Sequence, residues 1–467
     1  MQIEPLLAAL DDRYLIATLA ALARVPAEVP LGPEVFIAPD DPKLVHYVQE
    51  VLRPELFAVG AHDLTDVPGN QIVARYGAGT SGASLLVQVY TPVQHHNLME
   101  DPWSGKIARA ARWGHDEPCL FGQGVTQNKS HQAIVLAILK LLHERRVPLA
   151  GTLYVAINNE GRSSHACTEA ILAALPVKPD FALLLTATGR RISLGNRGRV
   201  DINVTVRGKA AHSSVPHQGS SAIDGAHEAM ARLRRMELPG SHPLLGGRHV
   251  LPYQVTYAPL APHTLPERAH LRVDRRLLPG DVPRKATEEV RRAIGDLPPW
   301  EVTVEQGHHM WPALVDPDHR GVRLLAEAHE AVHGAAPETY YGAGTFDAGG
   351  ACAAGVPAVM YGVGGGGGIL DADFVPLSHL DSVARVVARA VLAFLGTQRR
   401  TKRAPRRAAP SPAAGASTPA GRRRFFLKAI WPRRRCTRRL SAHRRRPPPA
   451  ALEHDRRRAT PARPAFA

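Results

Sequence analysis

Short apolar runs alternate with stretches of helical periodicity along most of the chain, the pattern of a mainly parallel sheet whose strands are joined by helices. ASLLVQVY at 83–90, TLYVAI at 152–157 and FALLLT at 181–186 read as strands buried on both faces, and PAVMYGV at 357–363 as a late one. HQAIVLAILKLLHE at 131–144 has the period of a packed helix, and DSVARVVARAVLAFL at 381–395 that of a closing helix. Across 199–307 the pattern changes. VDINVTVRG alternates as a strand, SSAIDGAHEAMARLRRM reads as a helix, YQVTYAP and HLRVDRRLL as strands, RKATEEVRRAIGDL as a helix and WEVTVEQ as a last strand. The order βαββαβ predicts a ferredoxin-like unit inserted in the larger α/β domain, with a cleft between them.

Length and composition refine this picture. A chain of 467 residues is too long for one ordinary core, and 44% hydrophobic content excludes a wholly disordered chain. No 18-residue apolar run is present, so no membrane-spanning helix is expected. The first residues, MQIEPLLAALDDRYL, carry acids where an export signal carries bases, and Cys119, Cys167, Cys352 and Cys436 form no C-x-x-C pair. A cytoplasmic protein with free thiols is the expectation.

The formal charge of +16 comes from one end. From Gln398 onward there are 22 Lys and Arg against 2 Asp and Glu, which leaves 36 basic and 40 acidic residues in 1–397. Three readings of the Arg- and Pro-rich segment 398–467 stay open: out-of-frame translation of GC-rich DNA, a solvated disordered tail, or an arm for nucleic acid or an anionic surface. Nucleic acid is expected to bind only through this tail, if at all, because its few aromatics (Phe425, Phe426, Trp431, Phe466) and lack of a folded motif are poor support.

Several ordered segments carry a family likeness. LLVQVYTPV, DPWSGKI, LFGQGVTQNKSHQAIVLAILKLL, NNEGRSS, GNRGRVDINVTVRGKAAHSSVPHQGSSAI and GTFDAGGACAAGVPAVMYG together make the chain resemble the acetylornithine deacetylase, succinyl-diaminopimelate desuccinylase and aminoacylase family of zinc exopeptidases over about 1–396. The resemblance implies an α/β zinc-exopeptidase-like fold with helices on both faces of a mainly parallel sheet. It implies a catalytic-like domain in 1–198 and 308–397, a lid and dimerisation domain in 199–307, and a homodimer.

Such proteins hold two bridged zinc ions with carboxylates and histidines, and a Glu beside a ligand acts as general base. Placed on this sequence, the H-x-D positions fall on Val89 and Thr91, the bridging Asp on Gln127 and the general base on Asn159. The further acidic ligand falls on Thr186 and the last His on Ile369, so Glu160 alone keeps a carboxylate at a ligand position. Neutral side chains cannot balance two dications, and an amide is no base at neutral pH. The expected cofactor is therefore none, or at most one weakly bound divalent metal. A replacement site would draw on His95, His96, His131 or His165.

What the resemblance leaves in place concerns the substrate. His212 occupies the position of the lid His that stabilises an oxyanion in the partner's site, and reads otherwise as inherited packing. Arg276 stands where a substrate carboxylate is bound, and reads otherwise as a surface strand residue. The turn holding Gly344, Thr345 and Asp347 offers amides to an anion, although Asp347 also reads as a helix cap. Gly364–Gly368 reads as a flexible loop. The expected partner is a small carboxylate-bearing molecule. The function expected is that of a non-hydrolytic binding or pathway-accessory protein; the alternative is a divergent hydrolase of an amide or related C–N bond.

Overall fold

The computed structural model describes residues 3–29, 39–77, 79, 81–91, 93–94, 98–159 and 164–397. The expectations attached to Glu160, His95, His96 and the Arg-rich tail lie outside the described residues.

Four parallel strands form the centre of a nine-stranded mixed sheet, in the order Ala358–Tyr361, Phe181–Leu185, Ser84–Tyr90, Thr152–Asn158. Each is buried along its whole length. The cause is their near-continuous apolar sequence, which suits only a sheet covered on both faces. Leu85, Val87 and Val89 turn to one face and join Ile134, Ile138, Val387 and Val391 of the helices Ser130–Glu144 and Leu377–Leu395. Leu86 and Tyr90 turn to the other, with Ile171 and Ala351 of the helices Ala166–Ala174 and Ala348–Ala353. Antiparallel strands extend the sheet on both sides, Gln71–Tyr76 and Leu64–Val67 beyond Thr152–Asn158, and Ile192–Asn196 and Ala313–Leu314 beyond Ala358–Tyr361. The fold class expected from the sequence is the one observed.

The inserted unit is an antiparallel sheet in the order Val250–Ala258, Arg268–Leu277, Gly198–Arg207, Glu301–Met310. The helices Ala222–Arg234 and Pro283–Ile294 cover one face. Val200, Ile202, Val204 and Val206 enter the core under those helices together with Leu271, Val273, Val290 and Ile294. The opposite face carries Arg199, Asp201, Asn203 and Thr205, as period-two alternation requires.

The alternation of Val200–Arg207 suggests an exposed edge strand, and here the structure differs. Gly198–Arg207 is an interior strand paired on both sides, and the edges are Val250–Ala258 and Glu301–Met310. Alternation reports that only one face is covered; it carries no information about neighbours within the sheet.

The closing helix ends at Leu395, and the chain still pairs just beyond it. Ala150 N–H donates to Gly396 O at 3.0 Å, Gly151 N–H to Leu395 O at 3.0 Å, and Leu149 bridges Thr397. A chain shortened to residues 1–397 is expected to keep the melting temperature of the full chain, measured by circular dichroism. A clear drop would mean that the basic segment contributes to the core.

Candidate functional site

The carboxyl ends of parallel strands are where α/β sheets open a crevice for ligands. Here the residues that follow those ends are Thr91, Asn159, Thr186 and Gly362. Thr91 N–H donates to Asn158 O at 2.9 Å and Thr186 N–H to Tyr361 O at 3.2 Å, so the ends are stitched to one another. Gln127 lies in the wide helical turn Val125–Lys129 that runs into Ser130–Glu144.

His131 joins these pieces. Its Nδ1 lies 3.1 Å from Gln127 O and its Nε2 accepts the Val363 N–H at 3.2 Å. A donor on one nitrogen and an acceptor on the other describe a neutral ring. Gly362 is required beside it, because a Cβ there would sit 2.2 Å from Nε2 and 2.2 Å from Thr186 O. Both nitrogens of this candidate ligand serve the backbone.

The remaining expected positions divide. Asn159 Nδ2 donates to Pro39 O at 2.7 Å, and its Oδ1 is buried without a hydrogen bond. Val89 packs in the sheet core, and Ile369 packs against the cluster of Cys119, Phe121 and Phe374. The structure therefore brings Thr91, Gln127, Asn159 and Thr186 to one end of the sheet and turns Val89 and Ile369 into apolar clusters.

Two buried charges that sequence reading passes over hold this region. Asp373 accepts the Gly124 N–H at 2.6 Å and the Thr126 N–H at 3.1 Å. Burial raises its pKa against those hydrogen bonds and the attraction of Lys129. Lys129 Nζ donates to Val25 O at 2.7 Å and stands 4.5 Å over the Trp103 ring, and burial pushes its pKa down to about 7. The glycine run is packed rather than loose. Gly366 N–H donates to Phe374 O at 2.8 Å, and a Cβ on Gly365 would lie 2.0 Å from that same oxygen.

The second half of the site lies on the open face of the inserted sheet. Arg276 Nη2 lies 2.8 Å from Asp274 Oδ2, and in the strand pairing Arg276 stands directly opposite Arg199. Arg199 Nη1 donates to Thr345 Oγ1 at 3.4 Å. Arg276 and the Gly344–Asp347 turn, separate candidates in the sequence, are thus linked through a third residue that the sequence did not single out. Asp347 occupies the N-cap position of Ala348–Ala353 and is buried, but its side chain makes no capping hydrogen bond. His212 is exposed, with its Nδ1 2.8 Å from Ser214 Oγ and its ring 6.1 Å from that of His263.

His165 fastens the turn from beneath. Its Nδ1 accepts the Trp311 N–H at 3.2 Å and its Nε2 faces Phe346 O at 3.4 Å, so this candidate ligand also spends both nitrogens on backbone groups. Burial lowers its pKa to about 4. A His whose pKa falls on folding stabilises the fold fully above its unfolded value, near 6.5, and loses that stabilisation as pH drops toward 4. The loss is on the order of 3 kcal/mol. Wild type is expected to lose melting temperature steeply between pH 6.5 and 4. His165→Gln is expected to melt lower at pH 7 but to show a shallower pH slope; equal slopes would refute the assignment.

Comparison with known proteins agrees with this architecture. Residues 194–302 match the peptidase dimerisation domain. Acetylornithine deacetylase of Myxococcus xanthus is 26% identical over 408 residues, covering 81% of this chain and 99% of that protein. Succinyl-diaminopimelate desuccinylase of Gluconacetobacter diazotrophicus is 27% identical over 335 residues, covering 67% and 82%. The M20 family metallo-carboxypeptidase of Sulfolobus solfataricus shares the fold with a TM-score of 0.64 at 13% identity, covering 81% and 99%. The chain is a homologue of the acetylornithine deacetylases and succinyl-diaminopimelate desuccinylases, built on the M20 metallopeptidase fold with its dimerisation domain.

Proposed function

We propose that this chain is a ligand-binding relative of the zinc-dependent amidohydrolases that does not hydrolyse by their two-metal route. It binds a small carboxylate-bearing molecule between the open face of the inserted sheet and the Gly344–Asp347 turn. The observation that carries this reading is Asn159 at the general-base position, with its amide donating to Pro39 O at 2.7 Å. An amide so placed cannot accept a proton from water.

The donor set supports the same reading. Thr91, Gln127, Asn159 and Thr186 are neutral, and His131 and His165 are committed to backbone groups. Among the described residues no group of three or more His, Cys, Asp or Glu is placed to hold a metal ion. Two zinc ions bring four positive charges, and uncompensated charge in a partly dry cleft costs several kcal/mol per ion. These residues do not fit a dinuclear zinc centre. At most one weakly held divalent ion accords with them.

The purified full chain is expected to contain less than one zinc per molecule and to leave N-acyl amino acids intact. Losing such a base removes on the order of 10²–10⁴-fold in rate. Asn159→Glu alone is therefore expected to restore nothing, because the metal ligands are missing as well. Two stoichiometric zinc ions by elemental analysis, or chelator-sensitive turnover by the wild-type protein, would establish the divergent hydrolase instead.

The dimerisation domain leads us to propose a homodimer. The edge strand Val250–Ala258 leaves Leu251, Tyr253, Val255 and Tyr257 exposed by 56%, 46%, 53% and 44%, with Leu251 on the face of Asp274 and Val255 and Tyr257 on the face of Leu271 and Ala269, and its open edge wants a partner strand. Light scattering is expected to give a dimer at micromolar concentration, and the double change Tyr253→Lys and Val255→Lys is expected to give a folded monomer. A wild-type monomer would sink this reading.

A further inference from the structure

The open face of the inserted sheet carries four charges at the corners of a square. Across the antiparallel pair Gly198–Arg207 and Arg268–Leu277, Arg199 stands directly opposite Arg276, and Asp201 directly opposite Asp274. Like charges placed directly opposite destabilise a strand pair, so two such pairs side by side run against the sheet's own stability. Along each strand the sign alternates. Arg199 Nε lies 3.6 Å from Asp201 Oδ2, and Arg276 Nη2 lies 2.8 Å from Asp274 Oδ2.

These bridges leave hydrogen-bonding capacity unused on both members of one pair. Arg276 Nε and Nη1 are buried donors without a partner, and Asp274 Oδ1 is a buried acceptor without one. Each such group is costly relative to a satisfied one, a cost that persists at sites made for a ligand. The neighbouring corner is tied to the rest of the site, because Arg199 reaches Thr345.

We propose that this square recognises a zwitterion, the adjacent ammonium and carboxylate of a free α-amino acid. This rests on the carboxylate-binding reading above and deepens it. The carboxylate takes the free donors of Arg276, and the ammonium takes Asp274 Oδ1. The four corners carry two Arg against two Asp, and Arg272, next along the same face, acts on Asp201 as well. A ligand bearing only a carboxylate leaves Asp274 Oδ1 without a donor and sets a second negative charge beside it. A zwitterion adds no net charge, and each of its charges meets an opposite one. Acylating the amine removes its charge, so the square discriminates against N-acyl amino acids and selects the kind of molecule that amide hydrolysis releases.

The test is calorimetric titration of the full chain with a panel of free L-α-amino acids, their N-acetyl derivatives and their α-amides. At least one free amino acid is expected to bind, with its N-acetyl and α-amide forms weaker by at least roughly tenfold. Asp274→Asn, checked for an unchanged melting temperature, is expected to weaken the free amino acid by a similar factor and to leave the N-acetyl form unchanged or tighter. Changing the ligand tests the same charge pairing should Asp274→Asn not fold. An N-acetyl amino acid that binds as tightly as its free counterpart, or in its place, overturns the zwitterion proposal while the carboxylate-binding reading stands. Failure of every free and N-acetylated amino acid to bind overturns both.

Discussion

The cleft end of this sheet depends on a buried carboxylate. Asp373 takes the N–H groups of Gly124 and Thr126, which belong to the turn that launches the helix Ser130–Glu144. Without an acceptor there, two backbone donors would be stranded in the interior, a costly arrangement. With it, the turn is held where Gln127 O can meet His131 and where His131 can reach Val363 at the end of the neighbouring strand. Thr126 Oγ1 donates to Phe374 O at 2.7 Å, closing the loop back onto the residue after Asp373. Lys129 balances the carboxylate from inside the same turn and ties it to the N-terminal segment at Val25.

The described residues at these strand ends are held by further hydrogen bonds of the same kind. Amides, hydroxyls and imidazoles tie the strand ends together: Asn159 to Pro39, Thr188 Oγ1 to Gly362 N–H at 3.0 Å, and His131 and His165 to backbone groups. Each is a neutral hydrogen bond that needs no ion to be satisfied. His165 is held uncharged as well, since burial pushes its pKa down to about 4. On the inserted sheet Arg199, Asp201, Asp274 and Arg276 bring charges of both signs together, and Arg199 reaches the turn at Thr345.

Much of the fold was legible because burial writes itself into periodicity. Ser84–Tyr90, Thr152–Asn158 and Phe181–Leu185 are apolar without a break, and only a strand covered on both faces needs that. The βαββαβ order of the inserted unit followed from switches between periods of two and 3.6. Val200–Arg207 was read to the correct face but to the wrong place in the sheet, because a strand's neighbours are chosen by residues far away. The same limit hid the charge square. Arg276 was visible alone, but its pairing with Arg199 is a matter of cross-strand register, which local sequence does not contain. Asp373 and Lys129 were hidden for a different reason. A lone acid in DADFVP or a lone base in VTQNKS looks like any surface charge until the burial is known.

His165 and Arg199 together set how the inserted sheet meets the larger one. His165 binds Trp311, just past the last strand of the inserted sheet, Glu301–Met310, to Phe346 in the turn, and Arg199 binds the first inserted strand to Thr345, one residue away. Both ends of the crossing therefore close on the same short turn. Its backbone is fixed from below by Gly349 and Gly350, where a Cβ would collide with Trp311 O at 1.8 Å and with the His165 ring at 2.8 Å. A ligand that draws on Arg276 acts on the strand paired with Arg199, and so on the residue that holds Thr345. Arg199 thus stands between the strand pair that carries the charge square and the turn at Thr345, so the two are joined through one guanidinium.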